Sequence, residues 1–121
     1  MKYQIEFMIL GLPARTNNAA SDWKARMMEA RKWKLKVAIA VRPEMRPKIA
    51  LTKARVTLMR FSSREPDYDG LVSSFKHVLD GLINIDVIQD DKMRNIGRPD
   101  YQWHRAPKLG GHIIVKVEEI E

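Results

Sequence analysis

The order of hydrophobic periodicities along the chain is the feature that most constrains its fold. Residues 3–10 begin with alternating polar and apolar side chains and end in a fully apolar run, which predicts a first strand. A helix capped by Ser21 or Asp22 is predicted to run to about Ala40. A period of two from Ile49 to Phe61 predicts a second strand after it.

The second half of the chain repeats this alternation. A second helix is predicted from about Tyr68 to Asn84, followed by a brief extended piece at Ile85–Ile88. Asp100–Arg105 is predicted to pair with His112–Ile120 in a hairpin. Strands and helices in this order predict an α+β fold, a small two-layer sandwich with a mixed sheet and two main helices, formed by a single domain of residues 1–121.

Each predicted element has a face for the core. Ala54, Val56 and Leu58 share one side of the second strand. The first helix is expected to bury the side chains that recur every three or four residues, namely Trp23, Met27, Ala30, Trp33, Val37 and Val41.

Charge and composition narrow the class of protein. The chain has 22 Lys and Arg against 15 Asp and Glu, a formal net charge of +7, which favours a polyanion such as nucleic acid as partner. The alternative is that the charge only keeps the surface soluble. The absence of cysteine excludes disulfides and thiolate metal sites and fits a reducing compartment. No apolar run approaches the roughly 20 residues of a membrane span, and the polar start is unlike a signal peptide, so a cytoplasmic protein is expected.

Four aspartates lie at two predicted connectors. Asp67 and Asp69 stand just before the second helix, and Asp90 and Asp91 follow it. Because the helix returns the chain, both pairs can meet and share a hard cation such as Mg²⁺. The alternative is that aspartates are common at helix starts and turns, where they cap and complement the helix dipole.

A lysine on the second helix is spaced so that it can face the predicted acids. Lys76 stands seven residues after Asp69, and at about 100° per residue the two share a helix face. Such a lysine can contact a scissile phosphate or the charge that develops during cleavage. The alternative is an ordinary helical ion pair between Lys76 and Asp80.

Other site chemistries find no support in the sequence. His77, His104 and His112 lack metal-ligand spacing. There is no glycine-rich phosphate loop and no nucleophile motif, so no organic cofactor is expected.

Two segments, PDYDGLVSSFKHVLDGL and DVIQDDK, resemble the RusA family of Holliday junction resolvases. Gly11-Leu12-Pro13, with Asn17 after it, is also similar to the early Leu-Pro…Asn segment of that family. The resemblance implies that Asp67, Asp69 and Asp91 bind Mg²⁺ or Mn²⁺ with Asp90 beside them, and that Lys76 is the catalytic lysine. It further implies a homodimer that nicks two strands of a four-way junction symmetrically, often a phage or prophage protein.

The chain departs from the family pattern at two positions. Gly70 stands where the family often has Asn, and Ser73 where it commonly has the lysine. Counting back from Asp80 selects Lys76 instead, so the helix contains three extra residues. Lys76 is then expected to keep its direction and to lie about 5 Å further along the helix axis.

Basic and aromatic side chains predict how DNA would be held. Tyr101 and Trp103 are candidates for stacking on exposed bases or for packing. Two alternatives to a junction resolvase remain open, a catalytically silent nucleic-acid-binding domain and a nuclease for flaps or forks. The residues predicted to contact DNA phosphates are Arg15, Lys24, Arg31, Lys34, Arg64, Arg105 and Lys108.

Overall fold

A computed structural model describes residues 2–14 and 22–121. Within that part of the chain, four strands form one mixed sheet and the helices pack on one of its faces, so the predicted α+β sandwich is confirmed. The strands are β1 (Gln4–Leu10), β2 (Ala54–Ser62), β3 (Asp100–Arg105) and β4 (His112–Glu119). The helices are α1 (Trp23–Ala40), α2 (Tyr68–Ser74), α3 (Lys76–Asn84) and α4 (Met93–Ile96), with 3-10 turns at Pro43–Met45 and Lys108–Gly110.

The strand order is β1-β4-β2-β3, with β3 parallel to β2 and the other pairs antiparallel. The predicted hairpin between Asp100–Arg105 and His112–Ile120 is therefore wrong. β4 lies between β1 and β2, whereas β3 pairs with the opposite edge of β2 and places Tyr101 beside Leu58. A parallel pair needs a long crossover, and residues 63–99, which carry α2, α3 and α4, supply it.

The sheet buries the side chains that its period of two predicts. Ala54, Val56 and Leu58 are almost fully buried on the helix-covered face, as are Val115 and Val117 of β4. The segment before Ala54 is not part of β2, which corrects the predicted start at Ile49. Leu51 instead forms an isolated parallel bridge with Ile88. This bridge holds the segment after α3 beside the residues that precede β2.

Helix α1 begins after Asp22, whose side chain accepts a hydrogen bond from the Lys24 N–H. Its predicted buried stripe is correct only for the second half. Trp33, Val37 and Val41 are fully buried, but Trp23 and Met27 are 58% and 41% exposed. In the described part of the chain, α3 and the sheet cover only the later turns of this helix.

The predicted helix over Tyr68–Asn84 is broken at Phe75, which has φ −93° and ψ 1°. The hydroxyls of Ser73 and Ser74 donate to the carbonyls of Gly70 and Leu71, three residues back. Such hydrogen bonds compete with the helical ladder. Phe75 itself is fully buried, with its ring 6.1 Å from that of Tyr101. The break therefore lies directly before Lys76, which begins the second of the two helices.

The contact between α1 and α3 generates a test of the packing. A Cβ at Gly81 would lie 3.0 Å from Val37 Cβ and 3.4 Å from Lys34 Cα. We expect Gly81→Ala to lower the free energy of unfolding by about 1–2 kcal/mol, because overpacking outweighs the gain in helix propensity. Chemical denaturation measures the change. Gly110→Ala is the control, because its nearest neighbour, Pro107 Cδ, lies at 3.6 Å. An unfolding free energy for Gly81→Ala at or above that of the wild type would contradict the close helix contact.

Candidate functional site

Lys76 begins α3 and lies between two carboxylates. Its Nζ is 3.1 Å from Asp91 Oδ2 and 3.2 Å from Asp80 Oδ1. The Asp80 contact joins neighbouring turns of one helix, whereas the Asp91 contact joins residues far apart in the crossover. The predicted helical ion pair with Asp80 is therefore present, and Lys76 also contacts one of the four predicted acids, Asp91.

The turn after α3 brings Asp91 to this lysine. Asp86 has φ 59°, a left-handed conformation that short polar residues tolerate better than others. The next two residues, Val87 and Ile88, are fully buried, and Ile88 bridges Leu51. The backbone that leads to Asp91 is thus held by the core.

A cavity of about 320 Å³ lies beside the Lys76–Asp91 pair. Tyr101 of β3 forms one wall, half-buried and packed against Phe75. We call this the Lys76–Asp91 cavity, and its lining residues are Val72, Ser73, Lys76, Leu79, Asp91, Ile96, Pro99 and Tyr101.

The charges around the cavity set its protonation states. Burial alone would lower the pKa of Lys76, but the hydrogen bonds and charges of Asp91 and Asp80 outweigh burial and raise the pKa above 10.5. Burial raises the pKa of Tyr101, and the negative charges of Tyr68 and Asp91 add to the rise against the opposing charge of Lys76. At neutral pH the cavity therefore presents an ammonium group and a neutral phenol.

Asp69 lies in the first turn of α2. Side chains three and four residues apart share a helix face, so Asp69 lies one turn before Val72 and Ser73 in the cavity wall. Of the two predicted pairs of acids, only Asp91 lines this cavity, and Asp69 is exposed one turn before its wall.

Asp67 and Asp90 have other contacts. Asp67 is the N-cap of α2, where its Oδ1 accepts from the Gly70 N–H at 2.7 Å. Asp90 Oδ1 accepts from the Asp91 N–H at 2.8 Å, and Oδ2 pairs with Lys92 Nζ at 3.7 Å. The pKa of Asp90 is lowered mainly by the hydrogen bond from the Asp91 backbone N–H, and the charge of Lys92 lowers it further.

Asp67 also lines a second, open cleft of about 390 Å³ with Arg60, Arg64 and Ser74. Arg60 Nη1 donates to the Pro13 carbonyl at 2.8 Å, while its buried Nε has no hydrogen-bond partner among the described residues. Burial lowers the pKa of this guanidinium. The cleft thus combines two carboxylates, Asp67 and Glu65, with two cations.

The donor set can be compared with the needs of a divalent ion. Within residues 2–14 and 22–121, no group of three or more His, Asp or Glu side chains lies close enough together to hold a metal. Mg²⁺, however, is usually held by one or two carboxylates, with waters and substrate phosphates as its other ligands. Of the residues that line the cavity, Asp91 alone is a carboxylate, so the cavity offers one ligand of this kind and leaves the other positions to water or a phosphate.

The predicted DNA-binding residues lie on several surfaces. Arg64 lines the Asp67 cleft, and Arg105, at the end of β3, donates to the Ser63 carbonyl at 2.8 Å and covers the Trp103 ring. The remaining described ones are Lys24, Arg31 and Lys34 on α1 and Lys108 in a 3-10 turn. Arg15 and Asn17 lie outside the described residues. None of the six described cations lines the Lys76–Asp91 cavity.

Sequence reasoning missed two features of the site. Tyr101 was expected to stack on bases or to pack, but its place beside Lys76 depends on the parallel pairing of β2 and β3. Arg60 was not singled out, although it continues the inward-facing series after Val56 and Leu58. A cation on the buried side of a strand is a signal that the sequence already contains.

Comparison with models of known protein families and with curated proteins found no match to this chain. No helix in its described part is both long and apolar enough to cross a bilayer.

The paired contacts of Lys76 predict how its titration depends on its neighbours. Asp91→Asn removes one negative charge at hydrogen-bond distance, so we expect the Lys76 pKa to fall. In the wild type the ion pair stabilises the fold below the ordinary lysine pKa of 10.5, and this contribution disappears only as pH rises through the raised value. An NMR titration of the lysine side chain measures the shift. Asp100→Asn, on the opposite face of the sheet, is the control, and an equal Lys76 pKa in both variants would contradict the contact.

Proposed function

We propose that this chain is a divalent-metal-dependent endodeoxyribonuclease, similar to the RusA resolvases, that resolves four-way DNA junctions by paired symmetric nicks. The observation that carries the proposal is the position of Lys76, whose ammonium group contacts Asp91 beside a cavity. The resemblance assigns catalysis to Lys76 and metal binding to Asp91, together with Asp67 and Asp69.

The broken helix adds support, because it removes the main difficulty in the resemblance. Three extra residues precede Lys76, and in one continuous helix they would move the lysine by about 5 Å along the axis. Phe75 instead ends α2, and Lys76 begins α3 with the spacing to Asp80 that the family pattern has. The lysine thus keeps its distance to Asp91 independently of the length of α2.

The residues of the cavity have distinct roles in this proposal. Asp67, Asp69 and Asp91, with Asp90 beside them, would hold Mg²⁺ or Mn²⁺, as the resemblance implies. Such an ion supplies Lewis acidity for phosphodiester hydrolysis.

Lys76 remains protonated at neutral pH, so it is suited to neutralise a non-bridging phosphate oxygen rather than to accept a proton. Asp80 positions the ammonium group, and the neutral Tyr101 hydroxyl can donate a hydrogen bond at the cavity wall.

The wider parts of the proposal follow from the resemblance and the charge. A homodimer would present two cavities, one for each of two opposed strands of a junction, and the +7 charge of each protomer would attract the DNA. The enzyme would act in the cytoplasm of a bacterium or a phage-infected cell, during recombination or repair, with no organic cofactor and no membrane partner.

A second candidate function, a catalytically silent nucleic-acid-binding domain, has one observation in its favour. The acids of the described residues do not form a ready three-carboxylate cage. A nuclease for flaps or forks would use the same cavity, and substrate comparison separates it from a resolvase.

The central test is cleavage of synthetic four-way junctions with Mg²⁺, Mn²⁺ or EDTA, beside linear duplex, flap and fork substrates. We expect metal-dependent paired nicks in junctions, and Asp69→Asn should bind junctions but cut them at least about 100-fold more slowly, because a carboxylate ligand is lost. Asp100→Asn is the matched control with unchanged cutting. Equal cutting by Asp69→Asn would refute its metal role, and a parent that binds but cuts no substrate would favour the silent domain.

A parallel comparison tests which helix position carries the catalytic cation. Lys76→Ala should lower the cleavage rate about 100-fold, since it removes the charge beside the phosphate, whereas Ser73→Ala should change the rate little. Lys76→Arg keeps the charge and should retain part of the activity. Single-turnover rates on the junction measure all three. A larger loss in Ser73→Ala than in Lys76→Ala would contradict the assignment.

A further inference from the structure

A groove of about 370 Å³ lies apart from the Lys76–Asp91 cavity, where the start of β2 meets α4 and the last residues of the chain. We call it the α4 groove. Its lining residues are Lys53, Ala54, Arg55, Met93, Arg94, Asn95, Ile96, Gly97, Arg98, Ile120 and Glu121.

The groove gathers four cations that form no close ion pair with a described residue, although Arg94 acts on the charge of Asp90 and Arg55 lies opposite Glu118 in the sheet. Lys53, Arg55, Arg94 and Arg98 are all exposed, and no carboxylate among the described residues lies within ion-pair distance of any of them. Of the residues lining the groove, Glu121 alone is acidic, and its carboxylate lies 3.4 Å from Lys2 Nζ. Four like charges around one concavity repel each other unless an anion occupies it.

The floor of the groove contains an incompletely satisfied amide. Asn95 is buried, and its Nδ2 donates to the Thr52 carbonyl at 2.8 Å and to Gln89 Oε1 at 3.3 Å. Its Oδ1 is also buried, without a hydrogen-bond partner among the described residues.

The groove and the proposed catalytic cavity are neighbours. Ile96 lines both, and α4 begins two residues after Asp91. A ligand long enough to extend past Ile96 would therefore reach both places, which a chain of phosphodiesters does and a single small anion does not.

We propose that the α4 groove binds the phosphodiester backbone of the DNA arm that flanks the cleavage point, through Arg94, Arg98, Arg55 and Lys53. This inference rests on the proposed function for the identity of the polyanion. The contacts are to phosphates alone, so the groove contributes affinity and orientation without reading sequence.

Binding of a fluorescein-labelled four-way DNA junction in EDTA, measured by anisotropy over a range of salt concentrations, tests the groove without cleavage. Each phosphate contact contributes about 0.9 to the slope of log affinity against log salt. We expect the Arg94→Ala/Arg98→Ala double variant to bind about tenfold or more weakly at low salt, with a slope reduced by about 1.8. The Arg94→Lys/Arg98→Lys variant should keep most of the slope.

Arg42→Gln is the matched control, because this arginine is exposed and pairs with Glu44 at 3.0 Å, outside the groove. An unfolding midpoint equal to that of the wild type establishes that each variant is folded, and an Arg94→Gln/Arg98→Gln variant, for which the same loss of affinity and slope is expected, carries the test if the alanine variant is not. A slope and affinity equal to those of Arg42→Gln would overturn the proposal and leave an acidic protein surface as the occupant. Weaker binding with an unchanged slope would also overturn it.

The two proposals fail in different measurements. A protein that binds junctions through the groove but cuts nothing with Mg²⁺ or Mn²⁺ would refute the nuclease and support the groove. Unchanged cleavage and unchanged binding in the Arg94→Ala/Arg98→Ala double variant would support the nuclease and refute the groove.

Discussion

The parallel pairing of β2 with β3 is the constraint on which the rest of the molecule depends. Parallel neighbours cannot be joined by a tight turn, so the chain must leave the end of β2, cross the sheet and return to the start of β3. The segment that does so carries α2, α3 and α4 over one face, and every predicted acid and the lysine lie on it. The topology therefore concentrates the site chemistry in one crossover, while β1 and β4 serve mainly to build and cover the core.

The sequence predicts those parts of the fold that depend on local patterns. Asp22 caps α1 as expected, and Val56 and Leu58 alternate inward as a half-buried strand requires. Pairing between strands that are distant in sequence leaves no local pattern. The hairpin prediction for Asp100–Arg105 and His112–Ile120 rests only on their closeness in sequence, and it is wrong for this reason. The predicted burial of Trp23 is wrong for a related reason. Periodicity identifies the apolar face of a helix but does not show which element covers that face.

The candidate site shows the same division. Residue types and spacing single out Asp69, Lys76 and Asp91 as candidates, but the 3.1 Å contact of Lys76 with Asp91 depends on two backbone events. One is the break at Phe75, caused by neighbouring serines, and the other is the left-handed turn at Asp86. Neither changes the hydrophobic pattern, so helical-wheel reasoning placed Lys76 on the face of Asp69 in a continuous helix that does not exist.

The charged residues are arranged differently in the Lys76–Asp91 cavity and in the α4 groove. This difference fits the proposed binding of a polyanion. Around the Lys76–Asp91 cavity one cation is held between carboxylates, so an approaching phosphate meets little net attraction there. The α4 groove, on the far side of Ile96, gathers cations without paired acids. Over distances near a Debye length of about 10 Å, the unpaired set dominates the field. Attraction would then come from the groove and chemistry from the cavity. This division of roles belongs to the proposed function, in which Lys76 stays beside Asp91 while the four groove cations lie outside the cavity lining.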